Sequence, residues 1–326
     1  MIVERQESTM YRLIMFLSAV LLLGVIGCDQ PGPIEVFHTD AREPIQVNYL
    51  LGNDGDSVTI ATDVQTNYDL TGVLFTEENL YPATMLVNGA TYDINGIKSE
   101  DLSYTRVSMR DTDSPISVSG NFGEVAAYSH LDVGNVSLNG TDLEKEEVYL
   151  QIRRPNQAQG ILLRNGIQYK LLNDDQAPSK QFKFRPNIDY AIVAEGKAQV
   201  TSFTERIDSP DKIEIVQPKP YSLILSDEDL TLRWNGRSGN AVVVVISYYD
   251  EVNKMVGKPI MELKSVSRAN AMLISKKLLN LIPKTSSGKI VLTLISANRE
   301  EAVAPGYNGK ILVQSSSIHN ATVTLK

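Results

Sequence analysis

Ala241–Tyr249 reads AVVVVISYY, and its first six residues, Ala241 to Ile246, contain no polar side chain. A run this rich in β-branched residues favours extended backbone, and apolar side chains at both odd and even positions predict a central strand covered on both faces. Outward from it, further strands are expected at Tyr221 to Leu225, Leu230 to Trp234, Pro259 to Val266, Lys289 to Ser296, Lys310 to Ser315 and Ala321 to Leu325. Leu230, Leu232 and Trp234 alternate with Thr231 and Arg233, so they share one strand face and carry the only tryptophan of the chain into a core. Strands separated by short turns in this way suit a two-sheet sandwich. A helix is expected between them, with Ser275 as N-cap, Ile274, Leu278 and Leu281 at helical spacing, and Pro283 close behind.

Residues 216–326, which hold these strands, resemble immunoglobulin and fibronectin type III modules in pattern, although the cysteine pair of immunoglobulin domains is missing. The resemblance implies a β-sandwich. Upstream, Ser209-Pro210 through Gln217-Pro218-Lys219-Pro220 encloses Ile213-Glu214-Ile215 between prolines and reads as a linker. Earlier still, Ser57–Thr62 and Val148–Ile152 alternate with the period of a half-buried strand. Asn-Gly pairs at 88–89, 95–96, 139–140, 165–166, 235–236 and 308–309 predict type I′ hairpin turns, where both central residues need positive φ.

The middle of the chain repeats itself. Leu86-x-Asn88-Gly89-x-x-Tyr92 recurs as Leu163-x-Asn165-Gly166-x-x-Tyr169. In the same order, Ile116 and Gly120 match Ile192 and Gly196, Val125-x-x-Tyr128-Ser129 matches Val200-x-x-Phe203-Thr204, and Leu131-Asp132 matches Ile207-Asp208. The expectation is a β module over residues 34–133 and a second copy over 134–212, either as two sandwiches or combined in one.

At the other end, Leu13 to Cys28 reads LIMFLSAVLLLGVIGC, an apolar run shorter than the roughly 20 residues of a spanning helix. It has the character of an export signal. Val25-Ile26-Gly27-Cys28 resembles the lipobox of bacterial lipoproteins. That resemblance implies cleavage after residue 27, a diacylglyceryl group on Cys28, and a lipid bilayer as partner. Glu4 and Glu7 depart from the positive charge expected before such a run, whereas Met10-Tyr11-Arg12 fits it. Residues 28–33 form a tether whose prolines and glycine join neither helix nor central strand. Asp29, directly after the cysteine, resembles an inner-membrane retention signal of some Gram-negative bacteria. The expectation is an all-β chain of tandem, Ig-like β-sandwich modules behind a cleaved lipoprotein signal peptide. Its expected place is the cell envelope, on the outer membrane first, facing periplasm or cell surface.

Charged residues at 21% and apolar ones at 42% are ordinary for globular protein. A net charge of -8 argues against a nucleic-acid partner, which needs clustered Lys and Arg to displace counterions. Cys28 is the only cysteine, so no disulfide within the chain is available and stability must come from burial.

Chemistry-bearing patterns are sparse. His38, His130 and His319 lie far apart in sequence and outside any ligand-spaced motif. Gly236-Arg237-Ser238-Gly239 reads as a hairpin loop rather than a nucleophile elbow, and Ser286-Ser287-Gly288-Lys289 as a loop between helix and strand. Asn53-Asp54-Gly55-Asp56, Asp111-Thr112-Asp113 and Ser226-Asp227-Glu228-Asp229 group oxygen ligands, but none completes a calcium loop. Acidic turns of this kind also form for backbone reasons. Asn135, Asn139 and Asn320 each open an N-x-S/T triplet that carries no implication in a bacterial lipoprotein. Tyr248-Tyr249 puts one ring on each strand face, and an exposed row among the fourteen tyrosines would favour a glycan ligand. The functional expectation is a non-catalytic binding, scaffold or adhesin-like role with a protein or glycan ligand in the envelope. No catalytic residue, cofactor or metal site is assigned. The rival readings are a glycan-binding surface lipoprotein and, behind it, a hydrolase whose carboxylates converge on His130 or His38.

Overall fold

Ala241–Ile246 lies where its composition predicts, within β15 (Ala241–Asp250), between β16 (Met255–Ser265) and β18 (Lys289–Ala302), both antiparallel to it. Val242, Val244 and Ile246 enter one core, and Val243 and Val245 enter a second apolar cluster with Ala90, Ile295 and Ile318. The computed structural model describes residues 45–49, 58–62, 81–94, 97–120, 123–152, 161–172, 182–251, 255–265 and 270–326, and these are nearly all β. All of them belong to one compact unit, Val36–Lys326.

A single large sheet organises them. From edge to edge it runs β1 (Ile45–Tyr49), β16, β15, β18, β19 (Ile311–Leu325), β3 (Ala83–Ile94), β4 (Ile97–Gly120), β5 (Gly123–His130), β9 (Ile161–Leu172), β8 (Glu144–Ile152) and β2 (Val58–Thr62). β13 (Leu223–Ile224) pairs with the end of β19, parallel to it. The β19–β3 pairing is also parallel, whereas β18–β19 is antiparallel along its full length. Strands from each of the three stretches distinguished in the sequence therefore hydrogen-bond within one sheet.

Two small sheets supply the second layer. One runs β11 (Phe203–Asp208), β10 (Asp189–Ala194), β6 (Val136–Leu138) and β7 (Thr141–Asp142), and the other β12 (Glu214–Gln217), β14 (Leu230–Asn235) and β17 (Ala271–Ile274). Leu230, Leu232 and Trp234 of β14 pack with Val244, Leu292, Ala321 and Val323 of the large sheet in the first core. Val136, Tyr190, Ile192 and Ile207 of the four-stranded sheet pack with Met85, Val107, Ile311 and Val313 in another. β19 thus contributes its first residues to one core and its last to the other. Between them, Ser317 Oγ accepts the Ile213 N–H (3.0 Å) and His319 Nδ1 the Ile215 N–H (3.3 Å). The proline-bounded segment is consequently fastened to the large sheet through β12.

Several expectations need correction in detail. The strands expected at Lys310–Ser315 and Ala321–Leu325 are one strand, β19, and Ser315, Ser316 and Ser317 are buried inside its ladder. The helix is a single turn, α1 (Lys276–Leu279), whose Ser275 makes no side-chain cap; Asp229 Oδ1 instead accepts the Lys276 N–H at 2.8 Å. Turn bonds from Leu281 to Leu278 and from Ile282 to Leu279 carry the chain onward, burying Ile282 and leaving Leu281 exposed. Of the Asn-Gly pairs, Asn139-Gly140 has both residues at positive φ (46° and 82°), as a type I′ turn requires. Asn88-Gly89 and Asn165-Gly166 lie inside strands β3 and β9. There the missing side chain serves close approach: a Cβ on Gly89 would sit 2.4 Å from the Phe184 ring, and one on Gly166 1.9 Å from the His130 carbonyl oxygen. Asn95-Gly96 lies outside the described residues.

Within the repeat, β4 and β5 form an antiparallel pair, and so do β10 and β11 at the matching positions. The first pair belongs to the large sheet and the second to the four-stranded one.

Candidate functional site

Where the two cores adjoin, the chain leaves β11 at Asp208 and passes Ser209, Pro210 and Asp211 on its way to β12. Glycines let the β14–β15 loop lie against this segment. Gly236 has φ +88°, and a Cβ there would stand 2.3 Å from the Lys212 carbonyl oxygen; on Gly239 it would meet the Ala297 oxygen at the same distance. The loop, the segment, Asn187 and Asn298 of β18 enclose a cleft of about 310 Å³.

The floor of the cleft is fixed by hydrogen bonds. Asp211 Oδ1 accepts from Asn187 Nδ2, and Oδ2 accepts the Arg237 backbone N–H at 2.8 Å. These two donors, with the nearby Arg237 charge, hold the Asp211 carboxyl below the usual range, so it is ionised. Asn298 donates to the Asp208 carbonyl (2.9 Å) and accepts the Asn240 N–H (3.2 Å). Ser209, buried, accepts the Ile188 N–H at 2.9 Å and lies within donating distance of the Arg185 and Ile188 carbonyls. Ser238 accepts the Trp234 indole N–H at 3.2 Å. The Asp208 carboxylate and the Arg237 guanidinium, both exposed, hydrogen-bond no described residue.

Other polar groups are tied into the fold. Asp132 receives Lys145 (2.9 Å), Lys197 (2.6 Å), the Tyr169 hydroxyl (2.9 Å) and the Gly134 N–H (3.1 Å). Burial opposes its ionisation, but these four donors prevail and keep its carboxyl well below the ordinary range. The Tyr169 hydroxyl, which also accepts the Val133 N–H at 2.7 Å, is pushed above the usual phenol range by burial and by Asp132. This cluster joins β8, β9 and the loops after β5 and β10.

His130 and His319 are not brought together, since β3 and β4 lie between their strands. His130 Nδ1 is 2.8 Å from Ser108 Oγ. Burial, with the Arg110 and Arg106 charges, lowers its pKa to about 4, so it is neutral at physiological pH. The charges acting on it are cationic rather than carboxylates. His38, Cys28 and Asn53–Asp56 lie outside the described residues. Asp111 and Asp113 lie within β4, where its register with β5 shifts between Arg110 and Pro115, and dock on Asn308, which donates to Asp113 (2.8 Å) while its carbonyl accepts from Thr112 (2.6 Å). In Ser226–Asp229, Asp229 caps α1. Among the described residues no group of three or more His, Cys, Asp or Glu could hold a metal ion. Ser286–Gly288 forms a loop in which Gly288 has φ +64°, and Lys289, the first residue of β18, sits 5.2 Å from the centre of the Tyr249 ring. Asn320 is buried. Tyr169, Tyr190, Tyr249 and Tyr307 are buried too, and among the tyrosines whose side chains are described Tyr221 alone is exposed.

The cleft residues escaped sequence reasoning as a group. Gly236–Gly239 stood out as a loop and Ser209–Pro220 as a connection, but no local pattern signals that the two meet. No family model matches the chain, and no curated protein matches it either.

Proposed function

We propose that this is a lipid-anchored binding or structural protein of the bacterial cell envelope, held to a membrane through acylated Cys28. The observation that carries the proposal is Leu13–Cys28, an apolar run of export length closed by a lipobox-like Val25-Ile26-Gly27-Cys28. A single acyl chain gives only marginal attachment, so stable anchoring takes several, as in the lipoproteins it resembles. Behind the tether we propose β-sandwich modules, Ig-like in the C-terminal region, joined through one shared sheet. The two cores, each between a small sheet and the large one, support this reading. The role is non-catalytic: a scaffold or adhesin-like body presenting surfaces to a ligand in the envelope. Cells grown with labelled palmitate should yield a labelled, membrane-bound protein. Cys28→Ala should lose the label and move to the soluble fraction; a variant still labelled and membrane-bound would sink the proposal.

A second reading, a glycan-binding surface lipoprotein, is favoured by the junction cleft, whose lining is amide, carboxylate, hydroxyl and guanidinium, with Pro210 its only apolar side chain. Such groups suit a ligand made of hydroxyls. A glycan array probed with the full chain tests it, and silence across the array would count against it.

A further inference from the structure

We infer that the junction cleft receives one neutral sugar residue, held by a pair of adjacent hydroxyls on the Asp208 carboxylate. This rests on the glycan-binding reading and narrows it to a ligand class and a set of contacts. Four groups in the lining keep hydrogen-bonding capacity facing solvent. The Asp208 carboxylate and the Asn187 side-chain carbonyl accept, whereas the Arg237 guanidinium and the Ser238 hydroxyl donate. Acceptors and donors together match hydroxyl groups, each of which both gives and receives a hydrogen bond.

Charge selects among sugars. The lining carries two carboxylates, Asp208 and Asp211, against one guanidinium, Arg237, so its formal charge is negative. The chain as a whole carries -8. A uronic acid or a phosphorylated sugar would bring like charge to this site, whereas a neutral sugar brings none. Size selects further: about 310 Å³ is the low end for a small-molecule pocket and suits a single ring rather than an oligosaccharide. Asp211, Asn298 and Ser209 are already fixed by their own bonds, so binding costs little reorganisation of the floor. The lining holds no aromatic ring on which a sugar could stack, so the affinity of one site is weak, on the order of millimolar.

The test uses the full chain in a sugar-free detergent, with saturation-transfer NMR on methyl glucoside, methyl galactoside, methyl mannoside and methyl glucuronide. At least one neutral glycoside should bind about tenfold more tightly than the glucuronide, a gap of about 1.4 kcal/mol. Asp208→Ala should abolish that binding, and Asp208→Asn should narrow the gap. Asp227→Ala, on a different loop, should leave both unchanged, with circular dichroism confirming that every variant is folded. Equal or tighter binding of the glucuronide overturns the inference, as does binding that survives Asp208→Ala. If array binding persists in Asp208→Ala, the glycan reading stands and the cleft assignment falls. If no glycan binds on the array or in solution, both fall.

Discussion

His130 couples the fold to acidity. Its ordinary value is 6.5 and its folded value about 4, so on acidification the unfolded chain takes the proton first. The stability due to its neutral form is whole above pH 6.5, drains away as pH falls towards 4, and changes no further below that. The shift corresponds to about 3 kcal/mol. Because carboxylates titrate over part of the same range, the quantity to measure is the difference between wild type and His130→Gln in urea midpoints at pH 7 and 4.5. The variant should show the shallower loss. Gly166 makes a separate demand. With φ +110° and the His130 carbonyl where a Cβ would stand, Gly166→Ala should cost at least about 2 kcal/mol in thermal or urea unfolding. A cost under about 0.5 kcal/mol would mean that the two strands do not approach so closely. The sequence offered Asn165-Gly166 as a hairpin turn because that pair is the common currency of such turns. Which glycines sit inside strands depends on partners distant in sequence, such as Phe184 for Gly89, and no window around the pair contains them.

Strands obey their own residues more closely. The apolar run of β15 and the alternating face of β14 were legible because burial there follows a period of two or covers every position. β19 was less so. Three consecutive serines interrupt its apolar pattern, yet Ser317 is buried and accepts the N–H of Ile213, the residue that leads into β12. Ser317→Ala should therefore leave a buried donor without a partner and cost about 1–3 kcal/mol. Hydrogen exchange locates the effect: the Ile213 amide should exchange faster in the variant, whereas the Ile192 amide, in the other core, should change only as far as global stability does. Unchanged exchange at Ile213 would show that Ser317 does not hold β12. The helix was misjudged in length because its apolar spacing persists past the point where turn bonds replace helical ones.

Across the molecule, the two cores share β18 and β19, and this makes their stabilities interdependent. Ile192→Ala, in the core without tryptophan, should cost about 2–5 kcal/mol. If the halves unfold as one, Trp234 fluorescence, which reports the other core, should shift its urea midpoint by the same amount as far-UV circular dichroism. An unmoved fluorescence midpoint beside a displaced ellipticity midpoint would show two independent units. The junction cleft and the shared sheet were invisible in the sequence for one reason, that both depend on pairings between remote segments, above all the parallel contact of β3 with β19. That contact also bears on biogenesis. Residues 311–325 are translated after every strand they zip together, so the emerging polypeptide cannot seal its widest β surface piecemeal. Until that lath arrives, β3 and β18 each keep a raw border, and whatever shelters the nascent chain must shield both from sticking to their neighbours.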